Sequence, residues 1–250
     1  MKKVIVKDIK NIRFDNTVAC IGYFDGVHKG HQKLINMTIK DAKRLNVKSS
    51  VICFEPDPIN LITGKRNKHL TSYKTRLSLF EYFGIDIVYV IKFNVDFMKL
   101  SAVSFINKYL NRMNIIELVC GFDFSFGYKA RGNCELLLNK GKFSTIVIQE
   151  AKYYGKKISS TRIKEALIRG DFSLVNKLLG YSYTIDLKVI NCLKQGKNWL
   201  IITKLSDSNG ILPNTCKYQD IIEIKENDEV TILGKTKLKL HSHLYLTFDE

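Results

Sequence analysis

Two histidines, His28 and His31, bracket Lys29-Gly30 inside the decamer GYFDGVHKGH at residues 22–31. Imidazoles three positions apart can both face a pentavalent phosphorus and donate hydrogen bonds to its oxygens. Gly30 lets backbone approach a phosphate closely, and Gly22 and Gly26 tighten the turn before it. The decamer lies where an apolar run, Val18-Ala19-Cys20-Ile21, gives way to Leu34, Ile35, Thr38, Ile39, Ala42 and Leu45 at helical spacing. Gly30 and His31 therefore fall in the first turn of a helix. Unpaired amides and the positive end of the helix dipole collect there, and anions bind such places. The segment reads as a phosphate site. The chain has five histidines in 250 residues, so a glycine-containing turn with two incidental histidines explains the pattern poorly. Zinc explains it no better, because H-x-x-H supplies two ligands and no cysteine pair stands nearby in metal-ligand spacing.

The elements that must hold this site alternate. Val47 to Phe54 reads as a buried strand, Thr71 to Phe83 as a helix stopped by Gly84, and Ile85 to Phe93 as a strand. Ser101 to Met113 is a serine-capped helix, Glu117 to Gly121 a strand, Asn133 to Lys140 a helix closed by Gly141, and Phe143 to Ile148 a strand. Such alternation predicts an α/β fold, a Rossmann-like parallel sheet with crossover helices. Ligands on such sheets bind beyond the carboxyl ends of the strands, where Gly22, Phe54 and Gly121 all fall.

From Thr184 the period changes to two, with Ile185, Leu187 and Val189 alternating with Asp186 and Lys188. Trp199 to Thr203, Ile221 to Lys225 and Val230 to Leu233 are strand candidates, the last two joined by Glu226-Asn227-Asp228-Glu229. Leu238, Leu240, Ser242, Leu244, Leu246 and Phe248 define one face of a long final strand. A small antiparallel β domain over 184–250 is expected behind an α/β domain over 1–183. His241 and His243 share the other face of that last strand, and two solvated polar residues explain them better than a metal site.

The net charge is +16, and its placement matters more than its size. From Thr184 onward nine lysines and no arginine face nine acidic residues, so the whole excess lies in 1–183. A positive domain suits polyanionic small molecules, whose local concentration its field raises. The basic residues are dispersed without a stacking-aromatic stripe, which argues against nucleic acid. No apolar stretch reaches the ~18 residues of a membrane span. The first residues, Met1-Lys2-Lys3-Val4-Ile5-Val6-Lys7-Asp8, lack the apolar core of a signal peptide. Six scattered cysteines, with Cys20, Cys53 and Cys120 inside apolar runs, read as reduced core residues of a cytoplasmic protein.

Several further segments occur in a set order. They are Phe54-Glu55-Pro56-Asp57-Pro58, Leu70-Thr71-Ser72, Asp96-Phe97 with Leu100-Ser101 and Phe105, Gly121-Phe122-Asp123-Phe124-Ser125-Phe126-Gly127 with Lys129-Ala130-Arg131-Gly132, and Ile158-Ser159-Ser160-Thr161-Arg162. Together with FDGVHKGHQ they make roughly residues 1–183 resemble the adenylyltransferase module of bacterial FAD synthetases, a branch of the HxGH nucleotidylyltransferases. That module is usually fused to a riboflavin kinase. The resemblance implies transfer of AMP from ATP to FMN, giving FAD and pyrophosphate, with Mg²⁺ expected and its ligands unspecified. It implies catalytic roles for His28, His31 and Arg162, and ATP contacts from Gly22, Phe24, Gly26, Gly30, Ser159, Ser160 and Thr161. It implies FMN contacts from Phe54, Pro56, Pro58, Asp123, Phe124 and Phe126.

From the residues alone, some of these roles stay open. Asp123 could serve Mg²⁺-bound phosphate, a flavin or ribose, or simply cap a turn. A helix cap explains one hydroxyl of Ser159-Ser160-Thr161 but not all three with the arginine. Aromatic side chains near strand ends are often plain core.

The chain departs from that family pattern in two places. The F-x-P-x-P loop commonly carries histidine in its middle, and here that position is Asp57. A kinase module would be roughly twice as long as the segment after Tyr183 and would carry a P-T-A-N segment, where this chain has Lys194-Gln195-Gly196-Lys197-Asn198-Trp199. Ile211-Leu212-Pro213-Asn214 faintly resembles a later kinase strand. The tail is expected to be a reduced kinase-like remnant without kinase activity. The competing readings are another HxGH transferase with a different phosphorylated acceptor, and a non-catalytic flavin- or nucleotide-binding regulator.

Overall fold

In a computed structural model of the chain, the described residues are 1–7, 9, 12–64, 67–195, 198–205, 211, 217–218, 222–224, 229–234 and 243–248. They fall into two compact units, Met1–Asn67 with Tyr73–Ile158, and Lys68–Ser72 with Ser159–Glu250.

The first unit is built on β1 (Lys2–Val6), β2 (Thr17–Ile21), β3 (Lys48–Glu55), β4 (Ile87–Lys92), β5 (Ile115–Gly121) and β6 (Ser144–Ile148). They form one sheet in the order β1-β4-β3-β2-β5-β6, every pair parallel. Its helices are α1 (Lys29–Arg44), α2 (Pro58–Thr63), α3 (Tyr73–Tyr82), α4 (Val95–Met98), α5 (Ala102–Lys108) and α6 (Cys134–Lys140), and β7 (Lys152–Tyr153) and β8 (Lys156–Lys157) form a hairpin. This is the α/β sheet that the alternating pattern predicts.

All five residues of β2 are buried, which is why its sequence is a continuous apolar run: helices cover both faces of a parallel sheet. Alternate residues feed two cores. Val18, Cys20, Val51, Cys53, Val88 and Val90 pack with Leu34, Ile35 and Phe80. Ala19, Ile21, Ile52, Tyr89 and Ile91 pack with Phe105, Ile106, Leu110 and Leu137. From β2 the chain winds outward through β3 and β4, then crosses back to place β5 on β2's other side. That reversal puts the topological switch point at the carboxyl ends of β2 and β5, the usual ligand position in doubly wound sheets.

The second unit holds α7 (Ser160–Ile168), α8 (Phe172–Leu179), β9 (Tyr183–Gln195), β10 (Asn198–Leu205), β11 (Lys217–Tyr218), β12 (Ile222–Ile224), β13 (Glu229–Gly234) and β14 (His243–Phe248). Its sheet runs β11-β12-β13-β10-β9-β14, every pair antiparallel. The register sets Leu187 opposite Leu244 and Ile185 opposite Leu246, as the period-two pattern anticipates. The Tyr183 hydroxyl donates to the Ile211 carbonyl at 3.0 Å. The stretches Gly196-Lys197, Leu212-Pro213-Asn214, Glu226-Asn227-Asp228 and Leu238 to Ser242, with Ile221, Lys225 and His241, lie outside the described residues.

Two helices differ from the sequence expectation. α3 starts at Tyr73 rather than Thr71, and Lys68–Ser72 packs with the second unit. The segment capped by Ser101 ends as a helix at Lys108 and continues as a 3-10 turn over Leu110–Arg112. Among the described residues no helix is long and apolar enough to cross a membrane.

Candidate active site

Between β2 and α1 the chain makes a turn that few residues tolerate. Phe24 has φ 59°, Gly26 φ 78° and Val27 φ 36°. A left-handed β-branched residue is strained, and such strain persists only where the surroundings over-determine it. They do so here. Val27 is fully buried, the Gln32 side-chain amide donates to its carbonyl at 2.9 Å, and the Phe24 ring lies against Phe80 at 5.4 Å.

The turn delivers His28 as the N-cap of α1, where its Nδ1 accepts from the His31 backbone N–H at 3.3 Å. The two imidazoles stack, with centroids 3.7 Å apart and planes 14° from parallel. Phe24 closes the far side of His31 edge-on at 5.2 Å. Gly30 is required by this stack: a Cβ there would stand 3.0 and 3.1 Å from atoms of the His28 ring.

Burial keeps both rings neutral. It pushes His28 down to about 4, with Lys157 adding to the effect while Asp25 and Asp123 oppose it. Burial also holds His31 well below its ordinary value, reinforced by the His28 ring and by Arg76. Since His28 Nδ1 accepts a hydrogen bond, the proton of the neutral ring belongs on Nε2. His31 Nδ1 is buried with no hydrogen-bond partner among the described residues, so Nε2 is the nitrogen left to meet a ligand. The pair is a preorganised set of neutral N–H donors at a helix N-terminus, a device suited to charge developing on a phosphoryl oxygen.

The other loops at the carboxyl ends of the strands contribute aromatic and charged groups. Phe54 is half-buried against Phe93 and Phe97, at 6.1 and 5.9 Å. After it come the cis Glu55-Pro56 bond and buried Asp57, which caps α2 by accepting from the Ile59 N–H at 2.8 Å, ahead of Pro58. The residue that replaces the usual histidine is therefore a structural cap, and the Tyr23 hydroxyl bonds it as well. Beyond β5, Phe124 is half-buried and stacks on Phe126 at 5.4 Å, and Phe126 is buried against Phe105 at 5.6 Å. Asp123 pairs with Lys157, whose ammonium also lies 5.1 Å from the centre of the Phe122 ring. Gly22 follows β2 with its missing Cβ directed at the Phe24 ring.

Ser159, Ser160, Thr161 and Arg162 belong to the second unit. Ser159 caps α7, its Oγ accepting from the Arg162 N–H at 3.3 Å, so capping does occupy one hydroxyl of the three. Among the described residues no group of three His, Cys, Asp or Glu side chains could hold a metal.

Sequence reasoning missed Lys157 and the buried Arg76. Lys157 directly precedes the Ile158-to-Arg162 motif, which was the available signal. Arg76 carried none, because its partners lie at distant positions in the chain.

Residues 11–162 match the FAD synthetase family model. The chain belongs to the FAD synthetase family. It is 38% identical over 201 residues to a bifunctional riboflavin kinase/FMN adenylyltransferase of Buchnera aphidicola subsp. Schizaphis graminum, covering 77% of this chain and 64% of that one. A second protein of that description, from Buchnera aphidicola subsp. Acyrthosiphon pisum, is 33% identical over 229 residues, covering 86% and 73%. The Bacillus subtilis protein is 36% identical, covering 72% and 58%. This FAD synthetase family member thus spans about three fifths of the length of most of the curated relatives it matches. A solved macrolide-efflux protein of Streptococcus pneumoniae shares its fold with a TM-score of 0.84 at 23% identity, covering 99% of this chain and 89% of that one.

Proposed function

We propose that this chain transfers AMP from ATP to FMN, forming FAD and pyrophosphate. The observation that carries the reading is the stacked, neutral His28–His31 pair at the start of α1, in a chain of this family. The acceptor oxygen belongs to an already ionised phosphate, so the reaction needs no general base, and neutral imidazoles suit it. His28 and His31 donate through Nε2–H to the α-phosphate as its charge rises. Gly22, Phe24, Gly26 and Gly30 hold these donors and the nucleotide, and Ser159, Ser160, Thr161 and Arg162 offer hydroxyls, amides and a guanidinium to phosphate at the start of α7. Phe54, Pro56, Pro58, Asp123 and Phe124 receive the flavin, with Phe126 supporting Phe124 from the core. Mg²⁺ would neutralise charge on the triphosphate and on the departing pyrophosphate. Arg162→Ala should mainly raise the KM for ATP.

The functional division we propose is an adenylyltransferase region over 1–183 and a reduced kinase-like region over 184–250. The substrates are small nucleotides and flavins rather than nucleic acid, and the compartment is cytoplasmic, in keeping with reduced cysteines.

The test is incubation of the purified chain with ATP, Mg²⁺ and either FMN or riboflavin, followed by chromatography of the flavins. FAD from FMN, and no FMN from riboflavin, is the expected result. Tight flavin binding with no FAD at saturating substrate would convert the reading into that of a flavin-binding regulator.

A further inference from the structure

Arg76 is a charged residue in the core of the first unit, 4% exposed on α3. Its Nη1 donates to the Tyr23 carbonyl at 2.8 Å, its Nη2 lies 3.6 Å from Glu55 Oε2, and its Nε is buried with no hydrogen-bond partner among the described residues. The guanidinium lies 4.5 Å from the centre of the Tyr23 ring and 5.8 Å from that of Tyr73. Desolvating a guanidinium for so few hydrogen bonds is unfavourable, and methionine or leucine would fill the same volume at lower cost. Packing alone does not account for it.

Its partners suggest what does. Tyr23 immediately precedes the left-handed Phe24 that begins the histidine turn, and Glu55 stands between Phe54 and Pro56. One rigid, planar fork therefore grips the strand end leading to the phosphate-binding imidazoles and the strand end leading to the acceptor loop. Lysine cannot reproduce this, since a single ammonium lacks both the fork and the planar stacking surface. We propose that Arg76 is a positioning residue for adenylyl transfer, setting the Tyr23-to-His28 turn in register with the β3–α2 loop through its bond to the Tyr23 carbonyl. The inference rests on the FMN adenylyltransferase reading.

Three variants, Arg76→Lys, Arg76→Met and Tyr23→Phe, test it by kcat, KM for ATP and FMN, Tm, and the histidine-ring nitrogen spectrum of the ligand-free protein. Arg76→Lys should fold with a Tm near that of the wild type and lose ~10-fold or more in kcat with each KM within ~3-fold, as expected when reacting groups are misplaced rather than removed. The single Nε2–H tautomer of His28 should give way to a mixture. Arg76→Met should show the same kcat loss. Tyr23→Phe keeps the carbonyl and the ring and should retain kcat within ~3-fold.

Wild-type kcat and spectra in Arg76→Lys would overturn the proposal. So would failure of that variant to fold, which would make Arg76 a core residue. A kcat loss in Tyr23→Phe as large as in Arg76→Lys would transfer the effect to the Tyr23–Asp57 bond, and that too would overturn it. If the wild-type protein forms no FAD, the activity fails by itself, and the histidine spectra, which need no turnover, still decide on Arg76.

Discussion

His31 sits between two rings, His28 at 3.7 Å and Phe24 at 5.2 Å, so its removal takes away a donor without opening the main core. His31→Ala should lower the rate of FAD formation by ~10²-fold or more, the usual worth of one preorganised donor, while circular dichroism and Tm stay close to wild type. His28 predicts a pH effect of definite sign. Its ordinary pKa is 6.5 and burial lowers it to about 4 in the folded chain, so the unfolded chain binds a proton that the folded one refuses. Stability from this group is complete above pH 6.5 and is lost as pH falls towards about 4, by up to about 3 kcal/mol. His28→Asn keeps a good N-cap and should flatten the fall of Tm across that window, apart from the share due to His31. These two histidines were legible because their geometry is local: a turn, a cap and a helix start within ten residues. Arg76 was not, because its meaning depends on a carbonyl 53 positions away.

Among the elements, α1 owes its active geometry to one missing methyl group. Gly30→Ala should favour the helix by intrinsic propensity, on the order of 1 kcal/mol, yet its Cβ would enter the space of the His28 ring. Tm should hold or rise while kcat falls, a divergence that a plain folding defect would not produce. Gly127 makes the opposite case. It has φ 73°, and a Cβ would stand 2.6 Å from the Ala102 backbone at the start of α5, so Gly127→Ala should destabilise by ~1–3 kcal/mol, read as a lower urea midpoint. The elements of the first unit recovered from sequence, β2 to β6 with α1, α3, α5 and α6, are those with a continuous apolar run or a plain cap or stop. β1 escaped because three of its five residues are exposed and two are lysines. α2 buries no residue and α4 is a four-residue turn, so neither carries a periodic signal. α8 does carry one, with Phe172, Val175, Leu178 and Leu179 buried between Asp171 and Gly180.

At the scale of the whole molecule, the net charge of +16 would meet two polyanionic substrates in the proposed reaction. Rising salt should therefore lower kcat/KM for ATP and FMN more than kcat, because screening weakens the field that gathers them and leaves the buried donors alone. Equal loss in both parameters would point instead to damage within the site. The strand order of the first unit also bears on how the molecule is made. β1 is first in sequence but takes the outer place beside β4, with Ile5 paired to Val90. It therefore has no strand to join until β2, β3 and β4 have been synthesised, and closing so distant a pair is entropically slow. β1 leaves the ribosome ahead of the other five strands yet is among the last to find its place in the sheet, and its amides should be the first of the six strands to exchange with deuterium.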